Sequence, residues 1–174
     1  MTAPLLFDIE STGLLRQGSR MHCIVTRSLV DPDEVTVYDK REDSTIDMGV
    51  AELLRAPVLV GHNIASYDIP LIKETYDFDF QGEVFDTLVM SRLFYPDIQQ
   101  RDYERQPTGM PAKLYGRHSL EAWGHRLKCF KGDYGKHDGA WDKYTPEMLD
   151  YCIQDTEVTL KVYQLMQRRM QDYA

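Results

Sequence analysis

Hydrophobic and polar positions over the first half of the chain form short apolar runs separated by turn-prone segments, a pattern typical of buried strands. Five such runs predict strands, at residues 5–9, 23–29, 35–38, 58–61 and 83–85. Residues 31–33 are Asp-Pro-Asp and residues 61–63 are Gly-His-Asn, and both tripeptides favour turns.

Apolar residues at helical spacing predict helices between the later strands and through the second half of the chain. The predicted helices cover residues 48–54, 66 or 68 to 76, 87–94, 120–127 and 146 to the end. The last begins strongly, because Thr145 offers a hydroxyl cap and Pro146 suits the first position. We expect this helix to break near Asp155. The order of elements predicts an α/β fold, a mixed five-stranded sheet flanked by helices.

Two segments, residues 95–117 and 131–143, show no clear pattern, and we expect both to be irregular connections. In the first, Arg101, Arg105, Lys113 and Arg117 are interleaved with tyrosines. Such residues would suit contacts with a nucleic-acid backbone and stacking on bases. Nearby acidic residues nearly cancel the charge, so a plain solvated loop is an equally good interpretation.

Composition indicates one globular domain, since the chain has 174 residues of which 43% are hydrophobic. No apolar run is long enough for a membrane helix, and the first residues do not resemble a secretion signal. Three scattered cysteines indicate free thiols in a reducing cytoplasm. The net charge of −8 argues against a long basic grip on nucleic acid. If four acidic residues bound two divalent cations, the net charge would be halved. The protein could then contact nucleic acid over a small area near the metal ions, or a partner protein could provide most of the binding.

Two carboxylates at the end of the first predicted strand are the first candidates for chemistry. Asp8 and Glu10 are two residues apart, so their side chains point to the same face of the strand. Carboxylates held together on a sheet repel each other and lose hydration, and a divalent cation would compensate both costs. A frayed strand end with solvated acids is the alternative.

Two further carboxylates lie in comparable settings. Asp68 follows a strand at a predicted helix start, where simple N-capping is the alternative. Tyr151 and Asp155 are four residues apart on the last helix, so both project from one face, and an ordinary surface acid is the alternative for Asp155.

Together, Asp8-x-Glu10, Asn63-x4-Asp68-x-Pro70 and Tyr151-x3-Asp155 resemble the motifs of the DEDD 3′–5′ exonuclease superfamily, in its tyrosine-containing subgroup. The resemblance is particularly to the proofreading exonuclease domain of phage family A DNA polymerases. It extends over residues 85–93, 118–127 and 131–134 and implies an RNase H-like fold. Those polymerases continue into a polymerase domain, whereas this sequence ends at Ala174, so it is either an excised domain or a separate exonuclease.

By this resemblance Asp8, Glu10, Asp68 and Asp155 would bind two divalent cations, Mg²⁺ or Mn²⁺, and Tyr151 would position the attacking water. A pair of such ions can generate the nucleophile and stabilise the leaving oxygen in phosphodiester hydrolysis. Hard oxygen ligands suit these ions better than zinc. The tyrosine pKa near 10 is too high for an efficient base at neutral pH.

The same resemblance implies a pocket for the terminal nucleotide, with ordinary turn or core packing as the alternative for each residue. Backbone amides of Ser11, Thr12 and Gly13 would meet that nucleotide, Leu14 would wedge against its base, Asn63 would hydrogen-bond the strand, and Tyr67 or Phe85 would stack. His62 and His118 would contact phosphate, and for these two the alternative is a structural histidine whose hydrogen bonds are satisfied within the fold.

We therefore expect residues 1–174 to form a single 3′–5′ exonuclease domain that acts on single-stranded or frayed 3′ ends of DNA and releases nucleoside monophosphates. The expected setting is proofreading beside a DNA polymerase on a separate chain, with no membrane association, in the cytoplasm of the host cell if the protein is phage-encoded. A 3′–5′ exoribonuclease and a catalytically idle protein-docking module of the same fold are the alternatives.

Overall fold

The computed structural model describes residues 3–130 and 139–173. Its strands are β1 (Leu5–Ser11), β2 (Met21–Ser28), β3 (Val35–Tyr38), β4 (Lys40–Arg41), β5 (Ser44–Thr45), β6 (Val58–Gly61) and β7 (Glu83–Asp86). Five of them form a sheet in the order β3-β2-β1-β6-β7, and β4 pairs with β5 beside it. The β3-β2-β1 pairs are antiparallel and the β1-β6-β7 pairs are parallel. The predicted mixed five-stranded sheet is confirmed.

Helices cover both faces of this sheet. They are α1 (Ile46–Arg55), α2 (Asp68–Thr75), α3 (Thr87–Phe94), α4 (Ile98–Arg105), α5 (Leu120–Arg126) and α6 (Pro146–Asp172), with a 3₁₀ turn at Ala112–Leu114. No helix within residues 3–130 and 139–173 combines the length and the apolar character that crossing a bilayer requires.

The alternation of β1 sorts its side chains between two apolar layers. Leu5, Phe7 and Ile9 pack with α1 and α2 on one face, whereas Leu6 packs with α3, α5 and α6 on the other. Asp8 and Glu10 follow Leu6 at intervals of two, so they face the α6 side of the sheet. The alternation of side chains along β1 therefore places both acids on the face of the sheet that α6 covers.

The structure corrects two of the sequence predictions. Residues 95–117 are not wholly irregular, because α4 and the 3₁₀ turn lie within them. The inward side of α4 is formed by Ile98 and by a carboxylate, Asp102, so an apolar pattern was missing from the sequence. Helix α6 also runs through Asp155 without a break. The next residue, Thr156, is fully buried although it is polar. Its hydroxyl is satisfied inside the helix, because it donates to the Ile153 carbonyl at 2.6 Å. Residues 131–134 of the resemblance lie outside the described residues.

Candidate active site

The central strand β1 carries two of the candidate carboxylates, and it ends in a bulge immediately after them. Asp8 lies opposite Val25 and Glu10 opposite Cys23 on β2, but Ser11 lies opposite Met21. One residue of β2, His22, is therefore left over in the bulge. A bulge bends the strand and re-aims nearby side chains.

Asp68 reaches the same place from α2. It is the first residue of that helix, and the capping position belongs to Tyr67, so the N-cap alternative for Asp68 does not hold. The carboxylate is 4% exposed. Burial raises the pKa of Asp68 to about 7, although hydrogen bonds from its own backbone amide and that of Ile9 oppose the shift.

Helix α6 contributes Tyr151 and Asp155 one turn apart, and both line the same cavity as the other candidates. Loss of hydration raises the pKa of Asp155 to about 7. Burial, followed by the charges of Asp155, Glu10 and Asp8, raises the pKa of Tyr151 well above its usual value. At neutral pH the Tyr151 phenol is therefore protonated, with its ring among the carboxylates.

Two of the four carboxylates, Asp8 and Glu10, have pKa values that the charges of the others raise. Loss of hydration raises the pKa of Asp8, and Glu10, Asp155 and Asp68 raise it further in that order. The pKa of Glu10 is raised to about 9, again by burial first and by the charge of Asp155 next. Such a cluster has the hard oxygen donors that divalent cations prefer, and a bound cation would reverse these shifts.

One residue beside this cluster, Cys152, was missed in the sequence. Its fully buried thiol donates to Asp8 Oδ2 at 3.3 Å, and ligand atoms of Asp8, Glu10 and Cys152 lie within 4.8 Å of one another. Burial raises the pKa of this thiol, so it stays protonated and acts as a donor that orients the Asp8 carboxylate. The only sequence signal was its position, three residues before Asp155 on the inward face of α6.

The cavity has a volume of about 600 Å³, and its lining includes a basic wall as well as the carboxylates. Arg92, Arg117 and His118 form this wall. Arg92 is another residue that sequence reasoning missed. Among the mixed basic and aromatic residues of 95–117, Arg117 reaches the cavity, whereas Arg101 pairs with Asp97 on the surface at 2.9 Å.

Both candidate histidines line this cavity, and each has a structural partner. His62 Nδ1 lies 2.8 Å from the Thr87 hydroxyl, which itself donates to the Gly61 carbonyl, so His62 Nδ1 is the donor. Burial lowers the pKa of His62 to about 4, which makes this histidine neutral. His118 Nδ1 lies 2.6 Å from the hydroxyl of the buried Ser91.

A second cavity, of about 250 Å³, adjoins the first and holds most of the predicted nucleotide-contacting residues. Its lining consists of Ile9, Glu10, Ser11, Gly13, Leu14, Tyr67 and Trp141. The Tyr67 hydroxyl donates to the Gly13 carbonyl and lies 2.6 Å from Ser11 Oγ, so it ties the strand end to α2. Leu14 is 66% exposed at the rim, where it is free to meet a ligand.

The other three predicted pocket residues are placed differently. Asn63 lines the large cavity and has a left-handed backbone, with φ 64°. Its backbone N–H donates to Asp86 Oδ1 at 2.9 Å. Thr12 pairs through its backbone and its hydroxyl with Arg20. Phe85 packs in the apolar layer against Tyr163, with ring centroids 5.9 Å apart, and is not brought to the carboxylates.

Comparison with known proteins supports the resemblance inferred from the motifs. No protein-family model matches the chain. The DNA-directed DNA polymerase of Escherichia phage T7 is 31% identical over 177 residues, which cover 89% of this chain and 25% of that polymerase. The chain is homologous to part of the phage T7 DNA polymerase. It spans about a quarter of the length of this relative.

Solved structures share the fold at much lower sequence identity. Brucella melitensis NrnC bound to pGG has a TM-score of 0.65 at 16% identity and matches 99% of this chain and 75% of its own. Escherichia coli RNase D, an exoribonuclease involved in structured RNA processing, has a TM-score of 0.62 at 12% identity and matches 97% of this chain and 40% of its own. The predicted RNase H-like fold is confirmed.

Proposed function

We propose that this chain forms a single metal-dependent 3′–5′ exonuclease domain that hydrolyses DNA to nucleoside monophosphates. The observation that carries the proposal is the convergence of four carboxylates and a tyrosine, from β1, α2 and α6, on one cavity. Asp8, Glu10, Asp68 and Asp155 would hold two Mg²⁺ or Mn²⁺ ions. Such ions supply an activated water and stabilise the leaving oxygen of a phosphodiester.

The role of Tyr151 follows from its protonation state. A phenol with a raised pKa cannot remove a proton from water at neutral pH, but it can orient a water through its hydroxyl. Tyr151 lines the same cavity as the carboxylates, and the charges of Asp155, Glu10 and Asp8 act on its hydroxyl, so that hydroxyl is near the place where the nucleophile would be activated.

The basic wall supports a polyanionic substrate. Arg92 and Arg117 line the same cavity as the carboxylates, so a phosphate group bound there would have arginine side chains available as well as the metal ions. The chain as a whole carries a charge of −8. Affinity must then come from a few contacts near the cavity, with a shallow dependence on salt concentration.

DNA is the preferred substrate because the phage T7 relative is a DNA polymerase. A 3′–5′ exoribonuclease is the second candidate, because RNase D, which shares the fold, is described as an exoribonuclease. A docking module without catalysis is disfavoured, because crowded carboxylates destabilise a fold that does not use them. The setting that we propose is proofreading in the host cytoplasm, beside a DNA polymerase.

Degradation of single-stranded DNA and RNA of matched sequence, labelled at either end, tests this proposal. With Mg²⁺, DNA labelled at its 5′ end should shorten progressively, and DNA labelled at its 3′ end should release labelled monophosphate at once. EDTA should stop both reactions. Release of label from the 5′ end first, or faster degradation of RNA than of DNA, would overturn the corresponding part of the proposal.

Variants of the carboxylates locate the reaction at this cavity. Asp68→Ala should lower the nuclease activity by more than the roughly 10–100-fold typical of residues that only support a metal ligand. Asp150→Asn is the matched control, because Asp150 is an exposed acid on α6 next to Tyr151. Near-full activity of Asp68→Ala would contradict the assignment of that residue.

A further inference from the structure

Trp141 lies at the boundary between the two cavities, a position that it shares with Ile9, Glu10 and Tyr67. It lines the large cavity together with Tyr151 and the small one together with Leu14. Its indole meets the Tyr151 ring edge to face, with centroids 6.0 Å apart and planes at 68°. Aromatic pairs favour this arrangement, which limits how far either ring can rotate.

The bulge in the sheet explains how Trp141 is held there. His22, the residue of β2 left over in the bulge, is buried, and its Nε2 lies 2.9 Å from the Trp141 carbonyl. Because a carbonyl can only accept, His22 Nε2 is the donor. The two residues are 119 positions apart in the chain, so this bond fixes the segment that carries Trp141 to the sheet.

A second contact fixes the same segment. The ring of Tyr144 stacks on that of His22, with centroids 6.1 Å apart, and its hydroxyl donates to Asp39 Oδ2 at 3.0 Å. Trp141 is therefore attached to the sheet on one side and packed on Tyr151 on the other.

We propose that Trp141 is a positioning residue for Tyr151, and that His22 in turn positions Trp141. The inference rests on the proposed exonuclease function and deepens it. Tyr151 is useful only while its hydroxyl stays among the carboxylates, and the indole blocks rotation of the phenol ring away from them. The strand bulge after Glu10 thereby serves the reaction through His22, which lines neither of the two cavities.

Steady-state kinetics of single and double variants test this inference. Trp141→Ala should lower kcat on the order of 10-fold, the factor that corresponds to the upper range of an aromatic pair, with KM nearly unchanged. Trp141→Phe, which keeps a ring edge against Tyr151, should recover most of the loss. His22→Ala should reproduce the loss in part, and His22→Gln, which keeps a donor, should recover it.

The double variant Trp141→Ala/Tyr151→Phe separates positioning from general support of the fold. Once the hydroxyl of Tyr151 is gone, loss of Trp141 should cost little more, so the two effects should not add. The Mn²⁺ affinity of Trp141→Ala should equal that of the wild type, because Trp141 is not one of the proposed metal ligands. His125→Ala, a histidine stacked on Phe130, is the matched control for His22→Ala.

Additive losses in the double variant, or full activity of Trp141→Ala, would overturn the inference while the exonuclease proposal stood. A wild-type protein inactive on both DNA and RNA would instead overturn the proposed function. Full activity of Tyr151→Phe would remove the role of Tyr151, and the inference would fall with it.

Discussion

The buried ion pair between Asp102 on α4 and Arg126 on α5 offers a perturbation whose size can be worked out from the structure. Arg126 Nη2 lies 2.7 Å from Asp102 Oδ2 and Arg126 Nε lies 2.9 Å from Asp102 Oδ1, with the side chains 9% and 3% exposed. Asp102 also accepts from the Gly116 amide at 2.8 Å, and Arg126 donates to the Arg117 carbonyl at 2.7 Å. The pair therefore anchors the turn that places Arg117 in the cavity wall.

Asp102→Ala should leave Arg126 charged and buried. The guanidinium also lies over the Trp123 ring, 4.9 Å from its centroid, which hinders its escape to water. Breaking a buried pair by removal of one partner costs about 3–5 kcal/mol. At about 2–4 °C per kcal/mol for a domain of this size, the melting temperature should fall by on the order of 10 °C.

Thermal unfolding followed by circular dichroism measures this fall, and Asp97→Ala is the matched control. Asp97 pairs with Arg101 at 2.9 Å, but its side chain is 48% exposed, so its loss should change the melting temperature little. Equal effects of the two substitutions, or no effect of Asp102→Ala, would refute the reasoning from burial. The KM of Asp102→Ala should also rise, because the Arg117 turn loses its anchor.

Three other outcomes are expected. Tyr151→Phe should lower kcat while Mn²⁺ affinity stays near that of the wild type, and equal losses in both would mean that the hydroxyl supports the metal site itself. Cys152→Ala should weaken Mn²⁺ binding about 10-fold in a calorimetric titration, because the neighbouring carboxylate loses its donor, and Cys152→Ser should restore it. In EDTA, the melting temperature should fall as the pH rises from about 5 to about 9, because the raised pKa values of Asp68, Asp155 and Glu10 mean that the folded protein holds protons that the unfolded chain has released. Saturating Mn²⁺ should flatten that slope, and a melting temperature that rises over this range in EDTA would contradict the assignment.

The parts of the fold that depend on local periodicity could be predicted from the sequence. The apolar run at residues 5–9 identified the central strand, and the spacing of two between Asp8 and Glu10 placed both on one face before any partner was known. The cap and proline at Thr145 and Pro146 gave the start of α6. Such signals need no knowledge of tertiary contacts.

The parts that depend on contacts between distant polar groups could not be predicted. Helix α4 is held by Asp102, whose partner Arg126 is 24 residues away. His22 lay just outside the predicted strand at residues 23–29, and the bulge that frees it depends on the register with β1. Phe85 was a plausible stacking residue in the sequence, but the strand that carries it turns the ring into the apolar layer.

Calorimetric titration of Mn²⁺ into the wild type, Asp155→Asn and Asp150→Asn tests the central claim most directly. If four carboxylates form one site, the wild type and Asp150→Asn should each bind two ions. Asp155→Asn should lose at least one ion, or its Mn²⁺ affinity should fall by more than the roughly 10–100-fold typical of residues that only support a metal ligand. A wild type that binds no Mn²⁺, or an Asp155→Asn protein that binds both ions with wild-type affinity, would contradict the account.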